Sequence, residues 1–242
     1  MRILVINPNS TASMTEKIGA AACAAAAPGT GIIAVSPSDG PPSIEGYFDE
    51  VFAVPGIIGE MQKAPDMDAY IVACFDDTGL DAARSLTQAP VIGIGEAAFH
   101  VASLLAGRFT VITTLARSVP AIEHNLVRYG LASRCARVRA SEIPVLDLET
   151  AGSDAASKIS REIDLAIAEE RAEAIVLGCA GMTDLAERLT AEHNLPVIDG
   201  VACAVKLAEG LVGLGLRTSK IGGYAAPRAK RYGGQFSPFS PG

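Results

Sequence analysis

At 242 residues, 49% hydrophobic and 19% charged, the chain has the apolar content of one large or two small folded domains and is not disordered. Twenty Lys and Arg against 27 Asp and Glu leave a net charge of −7, which excludes a basic nucleic-acid binder. With no Trp, five Tyr and seven Phe, it also lacks the aromatic platforms that stack single strands. Met1-Arg2 runs directly into Ile3–Ile6 without a secretory h-region, and the apolar stretch 18–27 is too short to span a bilayer. The expectation is a cytoplasmic protein with reduced thiols and no membrane or nucleic-acid partner. Its five cysteines, Cys23, Cys74, Cys135, Cys179 and Cys203, are odd in number and include no CxxC pair, so zinc-ribbon and thioredoxin motifs are out.

In chain order, a strand at Ile3–Ile6 precedes a helix over about 13–27. The segment Ser13-Met14-Thr15-Glu16 reads as its capping box. A strand at Gly31–Val35, a helix over 46–63 and a strand at Ala69–Cys74 follow. Then come a helix over 79–87, a strand at Val91–Ile94 and a helix over 96–106. The second half repeats the alternation, with strands at Phe109–Thr113, Val138–Val145, Ala174–Cys179 and Pro196–Ile198. Its helices fall over 118–129, 151–170, 182–192 and 200–214. Unalternated apolar strands separated by helices point to an α/β fold with parallel sheets covered on both faces. The last 26 residues are different: Arg217, Lys220, Arg228, Lys230 and Arg231 stand there without an acid, leaving 15 bases against 27 acids in the body. This basic tail either packs irregularly on the body, docks on a neighbouring subunit or extends into solvent.

Residues 69–95, AYIVACFDDTGLDAARSLTQAPVIGIG, echo residues 174–200, AIVLGCAGMTDLAERLTAEHNLPVIDG. Each copy runs from an apolar strand into a cysteine, a polar turn and a short amphipathic helix, then resumes a strand at Pro-Val-Ile. The cysteine precedes that Pro by 16 residues in the first copy and 17 in the second. Two copies imply two related α/β halves facing each other across a cleft. Ligands in such sheets bind beyond the carboxyl ends of the strands, which is where Cys74 and Cys179 fall. A helix N-terminus there favours thiolate. The other three cysteines, within or beside predicted helices in apolar company, read as structural. Inverting a stereocentre beside a carbonyl needs a base on one face and an acid on the other, and a cysteine pair can hold one proton between them near neutral pH. The backbone amides of Gly178-Cys179-Ala180-Gly181 are donors available to the developing enolate.

At these residues the sequence resembles the aspartate/glutamate racemase superfamily, within it the hydantoin and allantoin racemases. The resemblance covers almost the whole chain. It is carried by Ile6-Asn7-Pro8-Asn9-Ser10-Thr11, Cys74-Phe75-Asp76-Asp77 with Gly79-Leu80, Val91–Ala97, Thr113-Thr114 with Arg117-Ser118, Gly178–Met182, and Gly222-Gly223-Tyr224-Ala225 with Pro227 in the tail. It implies two similar Rossmann-like parallel-sheet domains related by pseudo-twofold symmetry, here 1–95 with about 200–242 and 96–199, with the site between them. It further implies a homo-oligomeric, cofactor-independent, metal-free racemase that moves a proton at C5 of 5-monosubstituted hydantoins between Cys74 and Cys179. Asn7, Ser10, Phe75, Asp76, Thr113, Thr114, Gly178, Ala180 and Gly181 match substrate-contacting positions. The amino-acid racemases of the superfamily follow the first cysteine with Asn-Thr and the second with Thr. Phe75-Asp76 and Ala180 depart from that pattern and point away from free glutamate or aspartate towards a cyclic ureide.

Alternatives stand beside these readings. Asp76 or Asp77 either binds a ring N–H or caps the following helix, a cap being favoured for Asp77. Asn9 and Ser10 are equally suited to capping, and Thr113 and Thr114 to strand packing. Gly93-Ile94-Gly95 begins like a dinucleotide fingerprint, but Glu96-Ala97-Ala98 stands where its third Gly belongs. His100, His124 and His193 fall in or at the ends of predicted helices, apart from the cysteines. Allantoin racemisation, a maleate-type cis–trans isomerisation by one covalently adding thiolate, and a binding or thiol redox module without turnover remain the competing functions.

Overall fold

The computed structural model describes residues 1–150 and 152–241. In the first half, β1 (Arg2–Ile6), α1 (Ala12–Ala25), β2 (Gly31–Val35), α2 (Tyr47–Lys63), β3 (Ala69–Val72), α3 (Leu80–Leu86) and β4 (Val91–Gly93) lead into α4 (Ile94–Leu105). In the second half, β5 (Phe109–Thr113), α5 (Val119–Arg128), β6 (Cys135–Ala140), α6 (Ala155–Leu165), β7 (Ala174–Gly178), α7 (Ala186–His193) and β8 (Val197–Ile198) lead into α8 (Gly200–Gly213). Both sheets are parallel, with strand orders β2-β1-β3-β4 and β6-β5-β7-β8, so the two halves share one topology. The α/β class with two similar parallel sheets is as the alternation predicts. The repeat seen in sequence is the unit β3–α3–β4 against β7–α7–β8.

The central strands β1, β3, β5 and β7 carry the continuous buried runs that a doubly covered strand requires, down to Ile3, Ile71, Val111 and Val176 at full burial. One apolar cluster spans both sheets through α1, α4 and α8. Within it, Phe99 of α4 meets Phe75 edge-on at 5.3 Å and stacks on Phe109 at 6.2 Å, joining the loop after β3 to the start of β5.

Several local expectations are corrected. The strand expected at Val138–Val145 lies at Cys135–Ala140, because it is an edge strand whose alternate residues are arginines. Arg139 pairs there with Glu162 at 2.7 Å, with Glu169 at 3.0 Å and with Glu170. Cys135 therefore opens a strand instead of lying beside a helix. Cys23, expected among apolar neighbours, is exposed on α1. The capping box at Ser13 does not form. The helix starts one residue earlier, at Ala12, with Thr11 as its N-cap residue, and the Thr11 hydroxyl donates instead to Pro42 O at 2.7 Å. The helix expected over 151–170 is α6 followed by a π turn over Ala166–Glu170, and residue 151 lies outside the described residues. The helix expected from 182 begins as a 3-10 turn, Ala180–Leu185, before α7.

The tail runs over the first half. Thr218 donates from its amide to Gln88 O and from its hydroxyl to Ala89 O, both at 2.8 Å. Lys220 donates to Arg84 O at 2.6 Å and Tyr224 OH to Asp81 at 3.0 Å. The final residue, 242, lies outside the described residues.

Candidate functional site

The carboxyl ends of both sheets open onto one small cavity of about 40 Å³, tighter than most small-ligand sites. Asn7 follows β1, and Cys74, Phe75 and Asp76 follow β3; all four line it. From the second half come Thr113 and Thr114 at the end of β5, and Gly178, Cys179 and Ala180 at the end of β7. The two cysteines thus occupy equivalent strand ends, one from each half. Ser10 and Gly181 do not line the cavity. The Ser10 hydroxyl donates to Gly40 O at 3.4 Å and ties down the loop after β2. Sequence reasoning missed Pro8, Met14, Ile44 and Val145 as lining residues. Ile44 and Val145 arrive from the loops after β2 and β6, the equivalent edge strands of the two sheets. The only sequence signal for them is a proline one or two residues before an aliphatic residue, Pro42-Ser43-Ile44 and Pro144-Val145.

Most polar side chains around the cysteines are committed to the protein. Asn7, fully buried, donates to Asn9 Oδ1 at 2.9 Å and Thr15 Oγ1 at 3.0 Å, so it braces the turn into α1. The Thr113 hydroxyl, expected to face the cleft, donates to Gly178 O at 3.1 Å and locks β5 to β7. No hydrogen bond holds the Thr114 hydroxyl among the described residues.

Asp77 corrects another expectation. It sits at φ 51°, and its carboxylate accepts from Gly95 N at 3.0 Å and Glu96 N at 2.8 Å, capping α4 instead of α3. Tyr129, the residue that caps the C-terminus of α5, donates from its hydroxyl to the same carboxylate at 2.8 Å. Gly93-Ile94-Gly95 is therefore the tight passage from β4 into α4, closed by this carboxylate. A Cβ on Gly93 would lie 2.0 Å from Asp77 Oδ1. Next to it, Asn125 Nδ2 donates to Asp76 O at 2.7 Å. The Cys74 loop of the first half is thus held by α5 of the second.

The two thiols have different surroundings. Burial, reinforced by Asp76, pushes the Cys74 thiol well above its ordinary value, against a 3.5 Å hydrogen bond from the Thr78 hydroxyl. Burial also raises Cys179, to about 11, with Gly181 N donating to its sulfur at 3.4 Å in the favourable direction. That amide was expected to serve an enolate; the structure turns it onto the sulfur. Cys74 is not at the mouth of an α-helix, since α3 starts six residues later behind Gly79. Asp76 is pushed up to about 7 by burial and by the neighbouring carboxylates of Glu50 and Asp77. No basic side chain lines the cavity among the described residues. Among the described residues, too, no cluster of three or more His, Cys, Asp or Glu is placed to hold a metal, and no helix is long and apolar enough to cross a membrane. Of the histidines, His124 meets Tyr47 OH at 3.3 Å and His193 meets Ser160 at 2.9 Å, both away from the lining.

Residues 3–208 match the family model described as Asp/Glu/Hydantoin racemase. A hydantoin racemase of Rhizobium meliloti is 50% identical over 236 residues, 97% of this chain and 98% of that protein. The solved allantoin racemase of Klebsiella pneumoniae superposes with a TM-score of 0.97 at 48% identity, covering 100% of this chain and 99% of its own. That of Pseudomonas fluorescens gives 0.92 at 45% identity, covering 97% and 100%. The chain belongs to the Asp/Glu/hydantoin racemase family and is an isomerase of that superfamily.

Proposed function

We propose that the protein racemises 5-monosubstituted hydantoins by transferring the C5 proton between Cys74 and Cys179 without a cofactor, in the cytoplasm and as a homo-oligomer. The carrying observation is the pair of cysteines at equivalent strand ends of the two halves, both lining one cavity. One cysteine, as thiolate, takes the C5 proton and becomes a thiol, leaving an enolate conjugated with the ring carbonyl. The other thiol delivers its proton to the opposite face and becomes the thiolate. Atoms and charge balance, and the pair ends with its protonation reversed. Each base would act from its own domain, 1–95 with about 200–242 and 96–199.

The absence of basic side chains from the lining suits a neutral ring better than a free amino acid or a dicarboxylate, whose anionic groups would be buried unpaired. Asp76 would accept a ring N–H, with Thr114 as a second polar contact and Phe75, Ile44 and Val145 as the apolar wall; that all five line the cavity supports this reading. Allantoin is itself a 5-substituted hydantoin, and the allantoin racemase neighbours make it the second substrate to test.

The test is polarimetry of enantiopure hydantoins and allantoin in D2O at pH 8, with NMR of the C5 proton. Loss of rotation with deuterium entering C5 is expected for at least one of them. Retained rotation without exchange across the panel overturns the proposal. Cys74→Ser and Cys179→Ser should each abolish racemisation while leaving thermal unfolding near that of the parent, because the exchange of sulfur for oxygen changes little volume.

A further inference from the structure

Lys17 is the one basic residue of the alanine-rich α1, yet its side chain turns away from solvent and is only 23% exposed. It crosses to the other half of the molecule. Its Nζ donates to Gly181 O at 3.4 Å, pairs with Glu149 Oε1 at 3.0 Å and lies 3.9 Å from Asp184 Oδ1. Gly181 is the residue whose amide faces the Cys179 sulfur at 3.4 Å. The lysine therefore grips one side of a peptide turn whose other side serves the thiol. α1 and α5 follow the equivalent strands β1 and β5. The grip of α1 on the Cys179 turn thus mirrors the grip of Asn125 of α5, and of Tyr129 at its C-terminus, on the Cys74 loop.

We propose that Lys17 is a positioning residue for Cys179, holding from the opposite half the turn whose backbone amide, together with the lysine's own charge, favours the sulfur's ionised form. This rests on the reading of Cys179 as one of the two proton-transfer groups. The charged and titratable groups that face Cys179 are Asp76 from the loop after β3, Lys17 from α1, Glu149 from the 3-10 turn after β6, and Cys74, which lines the same cavity. Lys17 is the only cation among them; Asp76 and Glu149 both oppose thiolate. Asp184 touches Lys17 from the solvent side and is more than half exposed. A lysine that served only to tie the halves together would stabilise the fold without distinguishing one cysteine from the other.

The experiment reads the rate of carboxamidomethylation of each cysteine by iodoacetamide at pH 8.5, resolved by peptide mass spectrometry on the intact folded protein. Lys17→Met should raise the Cys179 pKa by about one pH unit. The tenfold loss of thiolate is partly offset by the greater nucleophilicity of a more basic sulfur, so the rate should fall about three- to fourfold. Cys74 should react as in the parent. Lys17→Arg, which keeps the charge, should restore the Cys179 rate. Glu149→Gln tests the same field with Lys17 in place, and should speed Cys179, a change of opposite sign. Equal changes at both cysteines, or an unchanged Cys179 rate in Lys17→Met and Glu149→Gln alike, overturn the proposal and leave Lys17 a structural tie. Because alkylation needs no substrate, these outcomes stand apart from polarimetry. Parent protein that fails to racemise any hydantoin refutes the functional reading alone, whereas normal racemisation by Lys17→Met with an unchanged Cys179 rate refutes the role of Lys17 alone.

Discussion

Replacing Gly95 by Ala tests whether the passage from β4 into α4 positions the Cys74 loop. Gly95 lies in the first turn of α4, and an alanine in a helix is ordinarily worth up to about 1 kcal/mol over glycine. Here the new Cβ would stand 2.3 Å from Phe75 O and 2.9 Å from Asp77 Oδ2. Reaching ordinary contact requires the Phe75 carbonyl and helix to separate by roughly 1 Å, overpacking that typically costs about 1–3 kcal/mol. The same movement stretches the 3.0 Å bond from Gly95 N to Asp77, a hydrogen bond to a carboxylate worth about 1.5–3 kcal/mol. The clash outweighs the helix propensity, and the net expectation is a loss of about 2–4 kcal/mol in urea unfolding followed by circular dichroism. Phe75 adjoins Cys74, so a shift of about 1 Å should also lower racemisation by about a hundredfold. Gly210→Ala, in α8 with nothing within 4 Å of the added methyl, is the control and should gain up to about 1 kcal/mol. A Gly95→Ala protein as stable and as active as the parent would refute this account of the loop.

Two further outcomes follow from the same network. Tyr129→Phe keeps the ring against Phe99 but removes the 2.8 Å donor to buried Asp77, so unfolding free energy should fall by about 1.5–3 kcal/mol; a change below about 0.5 would mean that the hydroxyl is unimportant. Because burial holds the Cys179 thiol at about 11, its alkylation rate should climb about tenfold per pH unit from 7 to 9 without a plateau, and a rate that levels off by pH 9 would show a thiol at or below its ordinary value. The sign for stability is set by the same shift. The folded state keeps a proton that the unfolded chain releases above about 9, so this thiol's contribution is complete below that pH and is lost as pH rises towards 11.

The parts of the fold legible in sequence are those fixed by continuous burial. β1, β3, β5 and β7 are central strands, and their apolar runs, together with the cysteine that ends the β3 and β7 repeats, placed the two sulfurs on one cavity. The edge strand β6 was misplaced because Arg137 and Arg139, which satisfy the acids of the turn after α6, look like solvent-facing loop residues until those acids are beside them. The same reason hid the partners of Asp77. A carboxylate in a turn is expected to cap the next helix, but the left-handed backbone at Asp77 aims it at α4, 18 residues on, and at Tyr129 from the other half. Lys17 carried no signal at all, since one lysine in a helix reads as solubility until the opposite turn is seen against it. Ser10 and Gly181 were placed one residue too far out, because sequence adjacency to a lining residue does not say which way the backbone turns.

The unequal surroundings of the two sulfurs bear on how a two-base racemase can work. A thiolate buried beside Asp76 is harder to form at Cys74 than at Cys179, which has the Gly181 amide and the Lys17 charge. That inequality cannot favour one enantiomer overall. The mirror-image substrates have equal free energies in solution, so the equilibrium constant of racemisation is one. Both directions cross the same transition states between free-enzyme forms that differ only in which thiol holds the proton. Their kcat/KM values are therefore equal whatever the thiols' environments. Unequal bases can only divide that common value differently, giving one enantiomer a larger kcat and a KM larger by the same factor. The asymmetry of the site is thus a property of its bound states. On the proposed mechanism, the amide and lysine at Cys179, and Thr78 at Cys74, would decide which protonation form each bound enantiomer meets.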